Sequence, residues 1–275
     1  MDRKRIAQDT LRYIQQGYYP YKGQQVDIAA LQRYSEDNSV LITPDEGAKM
    51  VRSCTPPTTG KQAEQTVVNE ATVQAILNFS QAGVEHVGVL NFASAKNPGG
   101  GFLNGAMAQE ESLAASSGLY GTQLLHEGYY QANRVYKSMM YTDHAIYSPD
   151  VMFFRDERFE LLEQPVTASV LTLPAVNYGQ VLLKGENPQR ARQVMLDRMR
   201  LSLAIFAARG DRNLILGAYG CGVFRNDPVK VAGWWKELLM EEGYGMFFDR
   251  IVHAVLDRSK DGKCIRAFDS LLKSR

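Results

Sequence analysis

The sequence predicts an α/β fold, a sheet covered on both faces by helices. Two observations carry that expectation. From residue 84 onward, short β-branched apolar runs alternate with longer amphipathic stretches, the pattern of strands separated by helices. The two richest glycine segments each follow one of those runs, and ligands in such folds bind beyond the carboxyl ends of the strands.

Residues 1–17 read as an amphipathic helix, with Ile6, Asp9, Thr10, Tyr13 and Ile14 roughly on one face and Gly17 as its stop. Tyr18 to Gly60 is polar and turn-rich, broken by the apolar run Val40-Leu41-Ile42 before Pro44. Pro56-Pro57-Thr58-Thr59-Gly60 reads as a linker. A helical pattern resumes from Gln62 to Gln81 through Val67, Val68, Ala71, Ile76, Leu77 and Phe79. Val84–Ala93 is a buried strand by length and β-branched content. A helix is expected from about Ala108, strands over Ala145–Phe154 and Val166–Val176, and a long helix over Pro188–Arg209. Leu214-Ile215-Leu216 is a short strand, and Asp227 as N-cap with Pro228 behind it opens the next helix. Ile251–Leu256 is the last strand and Asp261–Lys273 the last helix.

The 275 residues are 45% hydrophobic and 22% charged, which excludes wholesale disorder. A chain of this length buries about three quarters of its unfolded surface, so folding needs neither metal nor disulfide. Lys+Arg (31) against Asp+Glu (30) leaves a net charge of +1, too little for coating a long polyanion. Direct DNA binding is therefore not expected, whereas gripping one or two phosphates with backbone amides remains open. Cys54, Cys221 and Cys264 are odd in number, far apart and free of any CxxC pair, which points to a reducing compartment. MDRKRIAQDT has no apolar leader core, and no stretch nears the roughly 18 apolar residues of a membrane span. A soluble, cytoplasmic protein without membrane contact is expected.

The first chemistry-bearing segment is Asn91–Glu111. Gly99, Gly100 and Gly101 let the backbone approach a ligand closely or take positive φ, and Pro98 stiffens the entry. Gln109, Glu110 and Glu111 stand at a helix start, where the dipole favours an ionised carboxylate. A catalytic acid needs the reverse, burial or a like charge beside it, and Glu110 next to Glu111 supplies the like charge. Adjacent helical residues diverge by about 100°, so one glutamate is expected to hold a substrate hydroxyl and the other to meet the bond that breaks. The plainer reading is a flexible loop with solvated glutamates capping a helix.

The second segment is Leu214–Pro228. Gly220, Cys221, Gly222, Val223 and Phe224 link a strand to a helix, and the amides of such a turn form a cradle suited to a diphosphate. There is neither a Walker GK[ST] nor a GxGxxG fingerprint. Phe224 reads equally as a lid stacking on a sugar or base and as an anchor into the core. Cys221 invites a nucleophile reading, but His86, His126, His144 and His253 are scattered, without metal spacing or pairing to it. His86 and His253 fall in expected strands, as core histidines do. Tyr18-Tyr19, Tyr129-Tyr130 and Trp234-Trp235 read as packing pairs, and the arginines from Arg190 to Arg212 as a solvated helix face, with steering of an anionic substrate as the alternative.

Gly99-Gly100-Gly101 followed after seven residues by Gln109-Glu110-Glu111 resembles the GGG…QEE signature of poly(ADP-ribose) glycohydrolases. NFASAKNPGGGFLNGA and GAYGCGVFRNDP are similar to the bacterial-type branch in particular, and the likeness spans most of the chain. It implies a macrodomain-like three-layer α/β/α fold with a mixed central sheet. One catalytic domain would span 1–275, with about 1–60 as an N-terminal helical extension packed on it. By this resemblance Glu111 is the catalytic acid/base and Glu110 its neighbour holding ribose hydroxyls. Asn97 and the triple glycine surround the scissile ribose, and Gln109 belongs to the substrate site. Gly220, Cys221, Gly222 and Val223 take the diphosphate, and Phe224 orders the terminal ribose. Tyr219 stands where the motif commonly carries tryptophan.

The implied reaction is hydrolysis of ribose–ribose O-glycosidic bonds in poly(ADP-ribose), on modified proteins, releasing ADP-ribose without metal or cofactor. The near-neutral charge adds the expectation of mainly exo-cleavage, since no basic track holds internal segments. Two other classes share parts of the pattern. One is a macrodomain that binds ADP-ribose without cutting it, which has no need of paired glutamates. The other is a hydrolase of protein-linked mono(ADP-ribose), which would differ at the acceptor side.

Overall fold

The computed structural model describes residues 2–273. α1 (Arg3–Gln16) starts where the Asp2 carboxylate accepts from the Arg5 amide and stops at Gly17, whose φ of 79° disfavours any side chain. A hairpin follows, β1 (Tyr18–Tyr21) and β2 (Gln24–Asp27), turning on Lys22 and Gly23, both at positive φ. Then come α2 (Ala29–Asn38), β3 (Val40–Ile42) and α3 (Pro44–Ser53). The last is entered through reciprocal bonds between Thr43 and Glu46. Tyr18–Gly60 is thus far more regular than its polarity predicts. The segment takes its order from packing onto the sheet and α1, and only the Thr43–Glu46 capping signal is local.

The expected helix over Gln62–Gln81 splits in two. Residues Glu64–Val68 form a strand, β4, and the helix α4 occupies only Thr72–Gln81. In β4, Gln65 and Val67 are buried while Glu64 and Thr66 are exposed, a period of two. Its partner strand lies near the other end of the chain, so no local signal marks the pairing.

The remaining elements are β5 (Val87–Phe92), α5 (Gln109–Ser116), α6 (Leu119–Leu124), α7 (Glu127–Val135), β6 (Ala145–Arg155), β7 (Leu161–Leu173), α8 (Tyr178–Leu183), α9 (Pro188–Arg209), β8 (Asn213–Gly217), α10 (Pro228–Lys236), β9 (Arg250–Ala254) and α11 (Lys263–Leu272). β7 begins five residues before the expected Val166 and ends at Leu173, because Pro174 has no amide to continue the ladder. His86 lies outside β5, exposed at φ 52°, so it is not a core histidine. His253 is one: it is fully buried in β9 with Nε2 3.3 Å from Gln65 Oε1, and burial pushes it down to about 3.

Seven strands form one sheet in the order β3-β6-β7-β5-β8-β9-β4. The five from β7 to β4 are parallel, and β6 and β3 add antiparallel at one edge. Alternate side chains divide the core. Leu90, Leu171, Leu214 and Leu216 pack with Met195, Trp235 and Phe268 of α9, α10 and α11. Val89, Val170 and Ile215 pack with Ile76 of α4 and Leu113 of α5. These are the three layers expected. α1 and the hairpin lie on β6, where Tyr13 and Tyr19 meet Phe154 at ring separations of 6.0 and 5.6 Å. The N-terminal segment also supplies the edge strand β3.

Arg198 departs from the solvated face expected of α9. It is 1% exposed, and its guanidinium donates to Met140 O (2.6 Å), Pro174 O (3.0 Å), Tyr141 O (3.3 Å) and Asp143 Oδ1 (2.8 Å from Nη2). A buried cation persists only when its donors are satisfied. Here they are, and the loop holding Tyr141 at φ 59° is fixed in return.

Candidate active site

β5 and β8 pair over Val87–Val89 and then part, while β5 stays with β7 as far as Phe92. At the carboxyl ends of the strands a cleft of about 1040 Å³ opens, at the upper end of the size range of small-molecule sites. The loops after β4, β5, β8 and β9 wall it, and both glycine-rich segments line it. Residues more than a hundred positions apart thereby share one cavity.

In the first segment Gly99 and Gly100 hold φ of 62° and 59°, which favour glycine. The Gly99 amide donates to Gln123 Oε1 at 2.8 Å. A Cβ on Gly100 would collide with Glu111 Oε1 and come within 3.0 Å of Glu110 Oε2. Both carboxyls therefore converge over a glycine, although they leave α5 in different directions.

Their environments differ. Glu110 is 3% exposed; its Oε2 accepts from the Ser94 amide at 2.6 Å, and its Oε1 from Asn91 Nδ2 at 3.1 Å and Gln123 Nε2 at 3.0 Å. Burial outweighs those hydrogen bonds and, with the Glu111 charge beside it, pushes Glu110 up to about 8. Glu111 is half-buried, with Oε1 accepting from Gly101 N and Oε2 from Ala108 N, each at 2.9 Å. Each oxygen has a second lone pair, and the residue lines the cleft.

Gln109 lines the cleft, and its side-chain amide is bonded to the strand beside it. Its Oε1 accepts from Phe92 N at 2.8 Å and its Nε2 donates to Leu90 O at 2.8 Å, bonding the β5 backbone as a neighbouring strand would. It positions α5 and leaves its amide committed. Asn97 is exposed at the cleft wall, its carbonyl accepting from the Gly100 amide at 3.0 Å. Three residues not singled out as site residues complete this side: Ser94, Asn91 and Gln123. Asn91 carried a signal, a lone amide inside an apolar strand; Gln123, in a short helix, carried none.

In the second segment Gly220 has φ 70°, and a Cβ there would lie 2.7 Å from Ala175 Cβ and 2.6 Å from Asn226 Nδ2. Asn226, also unforeseen, staples the loop by donating to Val176 O (2.8 Å) and Gly220 O (3.0 Å). The amides of Gly222, Val223 and Phe224 have no acceptor among the described residues. A Cβ on Gly222 would meet nothing within 4 Å, so the fold itself does not require that glycine. Three free amides in one turn make an anion cradle.

Phe224 is anchored in the core and also faces the cleft. It is half-buried against the main core, 6.0 Å from the Tyr141 ring, and it lines the cleft. Tyr219 is fully buried behind the loop, its hydroxyl donating to Leu173 O at 3.0 Å. The Cys221 thiol donates to Tyr219 O at 3.8 Å; the neighbouring Cys264 thiol and burial push it well up, against a nucleophile's needs. Among the described residues no three His, Cys, Asp or Glu side chains gather as a metal site, and no helix is long and apolar enough to cross a membrane.

Glu110 also fixes a pH dependence. The folded state holds its proton up to about 8, whereas the unfolded chain releases it near the ordinary 4.5. Between those values the native state binds more protons, so this contribution to stability is full below the lower value and falls as pH rises through the upper one. Urea unfolding at stepped pH is expected to show that decline and Glu110→Gln to flatten it; an equal slope in the variant contradicts the assignment.

Residues 7–156 match the family model described as microbial-type PARG, catalytic domain. The crystal structure of poly(ADP-ribose) glycohydrolase (PARG) from Thermomonospora curvata is similar at 36% identity, covering 98% of each chain with a TM-score of 0.93. The same organism's enzyme bound to the inhibitor ADP-HPD gives 35%, 98% of each chain and 0.91. The Deinococcus radiodurans enzyme in complex with ADP-ribose gives 39%, 89% of this chain, 98% of that one and 0.83. No match is found among curated proteins. Triglycine turn, paired glutamates and sheet order thus agree with the sequence likeness, and the chain belongs to the microbial-type poly(ADP-ribose) glycohydrolase family.

Proposed function

We propose that this chain removes ADP-ribose from the ends of poly(ADP-ribose) carried on modified proteins, with Glu111 as general acid and base. The coarser activity, hydrolysis of poly(ADP-ribose), follows from the family. The observation that carries the finer reading is the convergence of Glu110 and Glu111 over Gly100, in the cleft that also holds the free amides of Gly222–Phe224.

The Deinococcus relative's ADP-ribose provides the ligand chemistry. The diphosphate lies on the Gly220–Phe224 amides, and Phe224 covers the ribose beyond it. Glu70, Val255 and Leu256 wall the other end, an apolar slot with a carboxylate for a purine's exocyclic amine. Glu111 gives a proton to the leaving ribose oxygen as positive charge grows on the anomeric carbon, then takes one from the attacking water. Glu110, buried and fixed beside it, holds a ribose hydroxyl. The anchored diphosphate supplies remote binding energy that sets the sugar at the carboxyl. No covalent sugar–carboxylate step is invoked.

End-directed cutting is supported by the wall at Phe102–Met107. Phe102 packs with Ala7 of α1 and Ala114 of α5, and Gly105 lies against Arg3 and Lys4. The extension thus buttresses the side across which a continuing polymer would pass. We read 1–275 as one catalytic domain, with about 1–60 as that extension. Neither DNA nor a membrane is a proposed partner, and the widely spaced cysteines fit a cytoplasmic setting.

Glu111→Gln is expected to lower turnover of labelled polymer by at least about a hundredfold while calorimetry finds ADP-ribose binding nearly intact. Near-normal turnover overturns the assignment. Early products are expected to be ADP-ribose monomer; abundant free oligomers in the first few per cent of digestion contradict end-directed cutting.

A further inference from the structure

Lys96 is the one cation among the described residues that line the cleft. Glu70, Glu110, Glu111 and Asp257 line it too, and none of them forms an ion pair with Lys96. The lysine is half-buried, and its backbone is held on both sides. The Lys96 amide donates to Ser94 Oγ at 3.3 Å, and the Asn97 amide to the same oxygen at 3.2 Å. From α7, Arg134 Nε donates to the Lys96 carbonyl at 2.9 Å; its guanidinium is paired with Glu127 and lies 5.9 Å from the Tyr130 ring centroid. The same short loop reaches the catalytic region twice. Its Ser94 amide bonds Glu110, and its Asn97 carbonyl accepts from Gly100.

The sheet order tells which part of a substrate this lysine meets. The slot at Glu70, Val255 and Leu256 follows β4 and β9, the amide cradle follows β8, and Glu110 is bonded to β5 through Asn91. A bound ADP-ribose therefore runs across the strand ends from the β4 side, adenine first, to its distal ribose near β5. α7 packs on the opposite flank of the sheet, where Tyr129 and Tyr130 meet Leu41 of β3 and Ile146 of β6. Arg134 ties the Lys96 carbonyl to that flank, so Lys96 continues the line beyond the distal ribose. What lies there in a polymer is the group that leaves.

We propose that Lys96 is a specificity-determining residue that pairs with the diphosphate of the second ADP-ribose unit, the one released when the terminal unit is cut. The proposal rests on the cleft holding the terminal unit as described above. The leaving oxygen belongs to an adenosine ribose whose 5′ carbon carries the next diphosphate, so that anion stands only a few bonds from the cut. The terminal unit's own diphosphate is served by the free amides of Gly222, Val223 and Phe224, which leaves the ammonium for its neighbour. A single cation among carboxylates does not attract polyanions at large. It favours the ligand that places a phosphate at that one point, which is a matter of specificity more than of bulk affinity. ADP-ribose alone has no phosphate there, and neither does a single ADP-ribose joined to a protein side chain. The chain thereby prefers polymer to single-unit modifications.

The test compares, by calorimetry on the full chain carrying Glu111→Gln, the affinities of a purified two-unit oligomer and of ADP-ribose. The oligomer is expected to bind about fivefold more tightly. Adding Lys96→Met should remove that margin while moving ADP-ribose affinity by less than about twofold, and Lys96→Arg should keep the margin. With Glu111 intact, Lys96→Met should raise KM for labelled polymer by a similar factor, and Lys96→Arg should restore it. A margin that survives Lys96→Met overturns the proposal, as does its absence from the starting chain. Equal weakening of both ligands also overturns it, because Lys96 then serves the terminal unit. If the unaltered chain leaves polymer uncut, the hydrolase reading fails, while the oligomer margin still decides the role of Lys96. If neither ligand binds, the cleft reading fails and the proposal falls with it.

Discussion

Burial of the Glu110 carboxyl constrains everything around it. A carboxyl taken out of water must be paired, hydrogen-bonded or neutral. Glu110 has no cation beside it; burial pushes it up to about 8 against the pull of three donors, the Ser94 amide, Asn91 and Gln123. Those donors come from β5, from the loop after it and from α6. Gln123 reaches further, accepting from the Gly99 amide with its other end. One buried group thus registers strand, glycine turn and two helices against each other, and Glu111, the next residue, inherits its position from that register.

The division between two adjacent glutamates then needs no further device. Successive residues on a helix point about 100° apart, so one is buried toward the sheet and the other stands more open, while both line the cleft. Gly100 allows both to approach the same point because it has no side chain to fill it. The opposite wall follows a parallel logic. Gly220 sits where Ala175 and Asn226 leave no room for a Cβ, and Asn226 ties the loop's two ends, leaving the middle amides to the cleft. Sheet geometry supplies the separation, since β5 and β8 part after Val89 and Gln109 satisfies the β5 backbone beyond that point.

Much of this was legible in the sequence where the signal is local. Asp227-Pro228, the span of α9 and the two glycine segments are each written in a few consecutive residues. β4 was not legible, because Val67, Val68 and Ala71 satisfy a helical spacing and the pairing with β9 that decides against it is remote. Arg198 was misread for the same reason: nothing in its neighbourhood announces three carbonyls and Asp143 arriving from other segments. At the site, the motif pointed to the glutamates but not to which of them is buried. The resemblance put Gln109 in the substrate site, and the sequence carried no sign that its amide also bonds the β5 backbone.

The central claim is spatial: one cleft clasps a diphosphate with the amides of one glycine loop and presents Glu111 to the sugar beyond it. A crystal structure of this chain with ADP-ribose tests it most directly. The account predicts diphosphate oxygens within hydrogen-bond distance of the Gly222–Phe224 amides and the Glu111 carboxyl against the anomeric side of the distal ribose. A diphosphate held elsewhere, or a distal ribose out of reach of Glu111, would contradict it.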